Sequence, residues 1–123
     1  MAESPEPIPL VFWRSATGRE PVREWLNELS REDKRTIGRD IAKVQYGWPI
    51  GLPLCRPLSA GLWEVRASLP SRREARIFFG FHDGMLIAVH AMIKKAQKTP
   101  AEDLALARQR FKELQAWQGK TRT

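Results

Sequence analysis

The sequence predicts an α+β domain, an antiparallel sheet with helices packed on one face, in the order β-α-α-β-β-β-α. Three observations carry the prediction. Apolar residues recur at helical spacing through Val22, Trp25, Leu26 and Leu29, and again through Ile37, Ile41 and Val44. The apolar period then drops to two through Trp63, Val65 and Ala67, and through Ala75, Ile77, Phe79 and Phe81. Finally, Thr99-Pro100-Ala101-Glu102 is a complete helix start, with Thr as N-cap, Pro in the first turn and Glu at the third helical position.

Each element follows in turn. Residues 1–7 hold two Pro and two Glu with little apolar matter and are expected to be a flexible tail. Ile8 to Trp13 reads as a first strand, and Pro9 suits an edge or a strand start. Pro21 opens the first helix. Ser30, with Asp33 three residues on, resembles a capping box and starts the second helix, which Gly47-Trp48-Pro49 ends. From Gly47 to Gly61 the density of Pro and Gly predicts a long loop. Three strands follow as a meander, joined by Pro70-Ser71-Arg72-Arg73 and then by His82-Asp83-Gly84, an Asp-Gly hairpin signal. In the last helix Leu104, Ala107, Phe111 and Leu114 form the apolar stripe, and Gly119 begins a polar tail over 119–123.

The chain has 123 residues, which fits a single domain over residues 8–118. One cysteine, Cys55, cannot form an internal disulfide, and this excludes a disulfide-framework module. No apolar run approaches the roughly 18 residues of a membrane span, and the N-terminus has no signal-peptide pattern. The expectation is a cytoplasmic domain with no membrane partner. Charge is unevenly placed. Residues 1–33 carry a net −3, residues 34–98 a net +8, and the whole chain +7 with a pI near 10.2. A basic block of this kind points to a polyanion, nucleic acid above all, although a solvated basic surface has the same composition.

Strand alternation assigns faces. The odd-numbered set Trp63, Val65, Ile77, Phe79, Phe81, Ile87, Val89 and Ile93 is apolar and is expected to pack against the helices. The even-numbered set, Glu64, Arg66, Ser68, Arg76, Phe78, Gly80, His90, Met92 and Lys94, is expected on an open face, with Lys95 and Lys98 at its rim. The set contains no Cys/His ligand cluster and no phosphate-binding Gly-rich loop, so no metal or cofactor is implied. A cationic face does suit RNA transesterification. There the 2′-hydroxyl attacks the adjacent phosphate, and cations aimed at the transition-state charge contribute roughly 10²–10³ in rate each.

Each residue also has a plainer reading. Arg66 pairs with a phosphate or with Glu64; Glu64 is a base, an RNA-contacting group or an ion-pair partner. Lys94, Lys95 and Lys98 hold RNA or form a solvated turn, with Arg72 and Arg73 beside them as further RNA contacts. His90 is a general acid or base, or a satisfied structural histidine. Arg76, in the middle of an apolar strand, is hard to explain as mere solubility and is expected as a catalytic, exposed cation whose removal abolishes activity and spares the fold.

The runs Gly61-Leu62-Trp63-Glu64-Val65-Arg66, Arg76-Ile77-Phe78-Phe79 and Val89 to Glu102, with Lys94-Lys95-Ala96-Gln97-Lys98-Thr99-Pro100 inside the last, resemble the phage-derived, HigB-like branch of the RelE/ParE toxin superfamily. The resemblance spans about residues 10–116 and implies a RelE-like fold. It also implies a toxin of a toxin–antitoxin pair that cleaves mRNA during translation on the ribosome, held by a helix-turn-helix, HigA-like antitoxin. The family's basic residues correspond to Arg66, Arg76 and the Lys94-Lys95 pair. The chain departs from the family in having no tyrosine near the C-terminal end of the fold, its only one being Tyr46. Proton transfer then falls to His90 or to the substrate. Two other readings stay open: a ParE-like inhibitor that binds DNA gyrase, and an inactive member that only binds RNA or antitoxin.

Overall fold

The computed structural model describes residues 6–49, 51, 54–95 and 101–121, with side chains to residue 115 in the last helix. Strand β1 (Leu10–Phe12) is followed by helices α1 (Pro21–Asn27) and α2 (Arg31–Gly47), strands β2 (Cys55–Pro57), β3 (Leu62–Ser68), β4 (Glu74–His82) and β5 (Met85–Lys94), and helix α3 (Ala101–Thr121). The strands form one five-stranded sheet in the order β1-β5-β4-β3-β2. β1 lies parallel to β5 at one edge, and every other pairing is antiparallel. The α+β class is as the sequence predicts. Among the described residues no helix is long and apolar enough to cross a membrane.

Local signals account for most of these elements. Pro9 precedes β1, and its carbonyl accepts from the Leu86 amide at 2.9 Å, using the acceptor that proline keeps. Ser30 caps α2, its hydroxyl accepting from the Asp33 amide at 3.2 Å. Asp33 does not complete a capping box. Its carboxylate is buried and accepts instead from the Ser71 amide and from Arg73, which ties the β3–β4 turn to the start of α2. Asp83 and Gly84 both take positive φ, the geometry of the predicted two-residue hairpin.

Other expectations need correction. The Pro/Gly-rich stretch contains β2, an edge strand three residues long, too short to show any alternation. The helices do not share a face. α1 and α2 pack on one side through Val22, Leu26, Ile37 and Val44, against Val65, Ala67, Ala75, Ile77, Phe79, Leu86, Ala88 and Ala91. α3 packs on the other side through Ala107 and Phe111, against Leu62, Phe78, Ile87 and Val89. The face of Ile87 and Val89 also differs from the odd-numbered expectation. Phe78 pairs with His90 but Phe79 with Ala88, so Val89 is the extra residue of a bulge, and β5 changes face there. Lastly, α3 runs through Gly119 to Thr121. One glycine costs a helix only about 1 kcal/mol, which does not end this one. The Thr99-Pro100 start signal lies outside the described residues.

The two layers are dry where they meet. Phe78, Phe79, Ile77, Leu62 and Leu86 are essentially inaccessible, each such burial contributing about 1.5–3 kcal/mol. Gly80 sits under the Phe111 ring, and a Cβ there would overlap the ring atoms, so this glycine is the seat on which α3 docks. Phe81, expected in the core, is 45% exposed at the rim beside Trp48.

Candidate functional site

The α3 face of the sheet can be read in rows across β3, β4 and β5. Leu62 and Gly80 form one row, Glu64, Phe78 and His90 the next, then Arg66, Arg76 and Met92, then Ser68, Glu74 and Lys94. α3 covers the first row with Phe111 and reaches the second with Asp103. The last two rows hold the charges.

Arg66 and Arg76 stand directly opposite each other, a like-charge pairing that destabilises a sheet unless something lies between. Glu64 lies between. Its Oε1 accepts from Arg66 Nε at 3.2 Å and from Arg76 Nη1 in a short contact. On the other side Glu74 Oε2 accepts from Arg76 Nε at 3.1 Å and Nη2 at 2.8 Å, and Lys94 Nζ stands 3.6 Å away. The result is an alternating chain across three strands: Arg66, Glu64, Arg76, Glu74, Lys94. Two of its interior members are dry, while the third, Glu74, at 36%, is partly exposed like the two ends. The side chains of Glu64 and Arg76 are 1% and 4% exposed, those of Arg66 and Lys94 31% and 20%. Burial works against the charge on Glu74, but hydrogen bonds and charges from Arg76 and Lys94 outweigh it and hold its carboxyl below the usual carboxylate range.

The expectation of Arg76 as an exposed cation is therefore corrected. It is a buried guanidinium with its fork filled by two carboxylates, and it holds the chain together from inside. Glu64, expected as an RNA contact, is likewise buried out of reach of a ligand. Lys95 is exposed at the end of β5. Arg72 is exposed in the β3–β4 turn at φ 64°. Arg73 leaves the charged face and binds Asp33 at 3.2 Å and Ser71 at 3.0 Å on the α2 side. Hydrogen bonding from Ser71, helped by Arg73, holds the Asp33 carboxyl low against its burial. Lys98 lies outside the described residues.

His90 is stacked on Phe78, with ring centroids 5.8 Å apart, and its Nε2 lies 2.6 Å from Asp103 Oδ1 in the first turn of α3. A carboxylate so placed orients an imidazole. Lys94 is four residues along the same strand, about 13 Å. Cys55 is wholly buried on β2 and burial pushes its thiol up to about 11, so it offers no nucleophile.

Two members of this arrangement were not among the sequence candidates. Glu74 was missed because the strand was taken to begin at Ala75, yet it sits two residues before Arg76 and so on the same face. Asp103 was readable only as a helix N-terminal acid, since its contact with His90 depends on which face α3 covers.

The fold and this face define a class, a mixed α+β protein whose twisted sheet carries a half-buried ionic chain beside a docked C-terminal helix. The family model described as Phage derived protein Gp49-like (DUF891) matches residues 24–112, and the chain belongs to that family. This family is associated with toxins of toxin–antitoxin systems. Comparison with curated proteins gave no match.

Proposed function

We propose that the protein is the toxin of a toxin–antitoxin pair and a metal-independent endoribonuclease acting on translated mRNA, with the HigB-like resemblance of its sequence extending to its activity. One observation carries the reading. The alternating chain presents its cations, Arg66 and Lys94, at its open ends, with Lys95 beside them and the His90–Asp103 couple on the same face. In the reaction the ribose 2′-oxygen attacks the adjacent phosphorus and the bond to the 5′-oxygen breaks, leaving a 2′,3′-cyclic phosphate and a 5′-hydroxyl. Arg66, Lys94 and Lys95 bear on the phosphate charge that grows in the transition state. His90, oriented by Asp103, takes the 2′-hydroxyl proton or returns one to the leaving oxygen. Arg76 acts through Glu64 and Glu74 as a positioning residue and does not touch RNA.

The second reading, a binding inhibitor of DNA gyrase in the manner of ParE-like proteins, is favoured by one fact. The chain's three cations meet two carboxylates, so most of its charge is spent internally. The partner in both readings is a helix-turn-helix, HigA-like antitoxin. Induced expression in a bacterium, with mapping of new mRNA 5′-hydroxyl ends, separates the two. The ribonuclease reading expects new ends within translated frames, whereas growth arrest without new ends transfers the case to a binding target.

A further inference from the structure

An open groove runs between α2 and the part of β3 that extends past the end of β2. Thr36, Arg39, Asp40 and Lys43 line it from the helix, and Arg66, Ser68 and Glu74 from the sheet. The helix residues recur at i, i+3, i+4 and i+7, one stripe beside the buried one of Asp33, Ile37 and Val44. Arg39 and Lys43 are exposed, and the only ion pair either of them makes among the described residues is a 3.5 Å surface contact from Lys43 to Asp40. Arg66 is shared. Its Nε is engaged by Glu64 while the side chain also lines the groove, so the groove opens directly onto one end of the ionic chain.

We propose that this groove carries the RNA strand past Arg66, and that Arg39 and Lys43 contact successive phosphates beyond the one held there. The inference rests on the ribonuclease reading given above and adds to it a second stretch of substrate contact on α2, a helix outside the set of candidate site residues. Three points support RNA as the occupant. Glu74 is already engaged by Arg76 and Lys94, and Asp40 makes only a 3.5 Å surface contact with Lys43, so Arg39, Lys43 and the outer part of Arg66 outnumber the one acid left facing them. Arg39 and Lys43 are one helical turn apart, about 6 Å of rise, comparable with the step between phosphates of an extended strand. Thr36 and Ser68, beside Leu54, offer hydroxyl donors suited to ribose and phosphate oxygens.

The test uses the full chain and a fluorescent 2′-O-methyl RNA oligonucleotide, which binds without being cleaved, titrated over a range of salt. Arg39→Ala/Lys43→Ala is compared with wild type and with Arg31→Ala/Lys34→Ala, which removes equal charge elsewhere on α2. The groove variant is expected to lower the log–log salt slope by about 1.4, two contacts at roughly 0.7 each on a single strand. The control pair is expected to keep the wild-type slope. Equal slopes for the two variants, with wild-type binding intact, would overturn the groove and leave the ribonuclease reading standing. Absence of RNA binding and of mRNA cleavage by wild type would overturn both.

Discussion

On the side of α1 and α2 the sheet offers apolar side chains to an apolar helix pair, and the layer is continuous from Val22 to Ala91. On the side of α3 the same strands are apolar only where Phe111 and Ala107 rest, and then give way to five charged residues in alternating order. The first arrangement stabilises by simple removal of apolar surface from water. The second places a carboxylate and a guanidinium in the dry interior, where desolvation offsets most of their attraction. A fold seeking stability alone would have continued the apolar layer. The ionic half is better understood as a device that fixes the geometry of the cations at its ends.

That difference can be broken by substitution. The largest effect belongs to Arg76→Ala, which strands the Glu64 carboxylate and is expected to cost about 3–5 kcal/mol in urea unfolding. Glu64→Leu/Arg76→Met removes both charges and is expected to recover most of that loss. If the double variant were as unstable as the single, the ionic chain would be a stability element and the contrast between the faces would fail. Because Arg76→Ala damages the fold, its loss of toxicity carries no information about catalysis.

Next in size is Gly80→Ala. The added methyl meets the Phe111 ring, so α3 must shift, at an expected cost of about 1–3 kcal/mol. His90 should lose its Asp103 contact as α3 moves, a change visible in the imidazole resonances by NMR. A variant of wild-type stability with an unchanged His90 signal would show that α3 is not seated there.

Acid separates the faces again. The carboxyls of Asp33 and Glu74 are both held low, so each contributes stability that is present above the unfolded-state pKa, near 4, and lost as pH falls through the lower folded value. Unfolding measured from pH 6 downward should show stability declining below about pH 4, and Asp33→Asn should make the decline shallower. An identical pH profile for the variant would remove the α2 clamp from the account.

Much of this architecture is legible in the residues. The stripe of Val22 and Leu26, that of Ile37 and Val44, the Ser30 cap and the Asp83-Gly84 turn each act locally, within a single element, and each is found in place. What escaped depends on distant partners. A bulge at Val89 reverses the side on which Ile87 and Val89 point, and no residue in β5 announces it. The face taken by α3 is decided by Gly80 and Phe111 meeting across 31 residues of sequence. For the same reason Arg76 looked exposed. Its burial becomes visible only when the β3–β4 register places Glu64 beside it and the strand is extended back to Glu74.

The smallest expected change in stability accompanies the largest expected change in function. Arg66→Ala/Lys94→Ala/Lys95→Ala removes the partly exposed and exposed cations while Arg76 still neutralises Glu64, so stability should fall by much less than for Arg76→Ala. The decisive measurement is the yield of new 5′-hydroxyl mRNA ends after induction of wild type and of this variant, matched for folded protein. The account predicts ends within translated frames for wild type and their loss in a stably folded variant. Undiminished cleavage by the variant would contradict it.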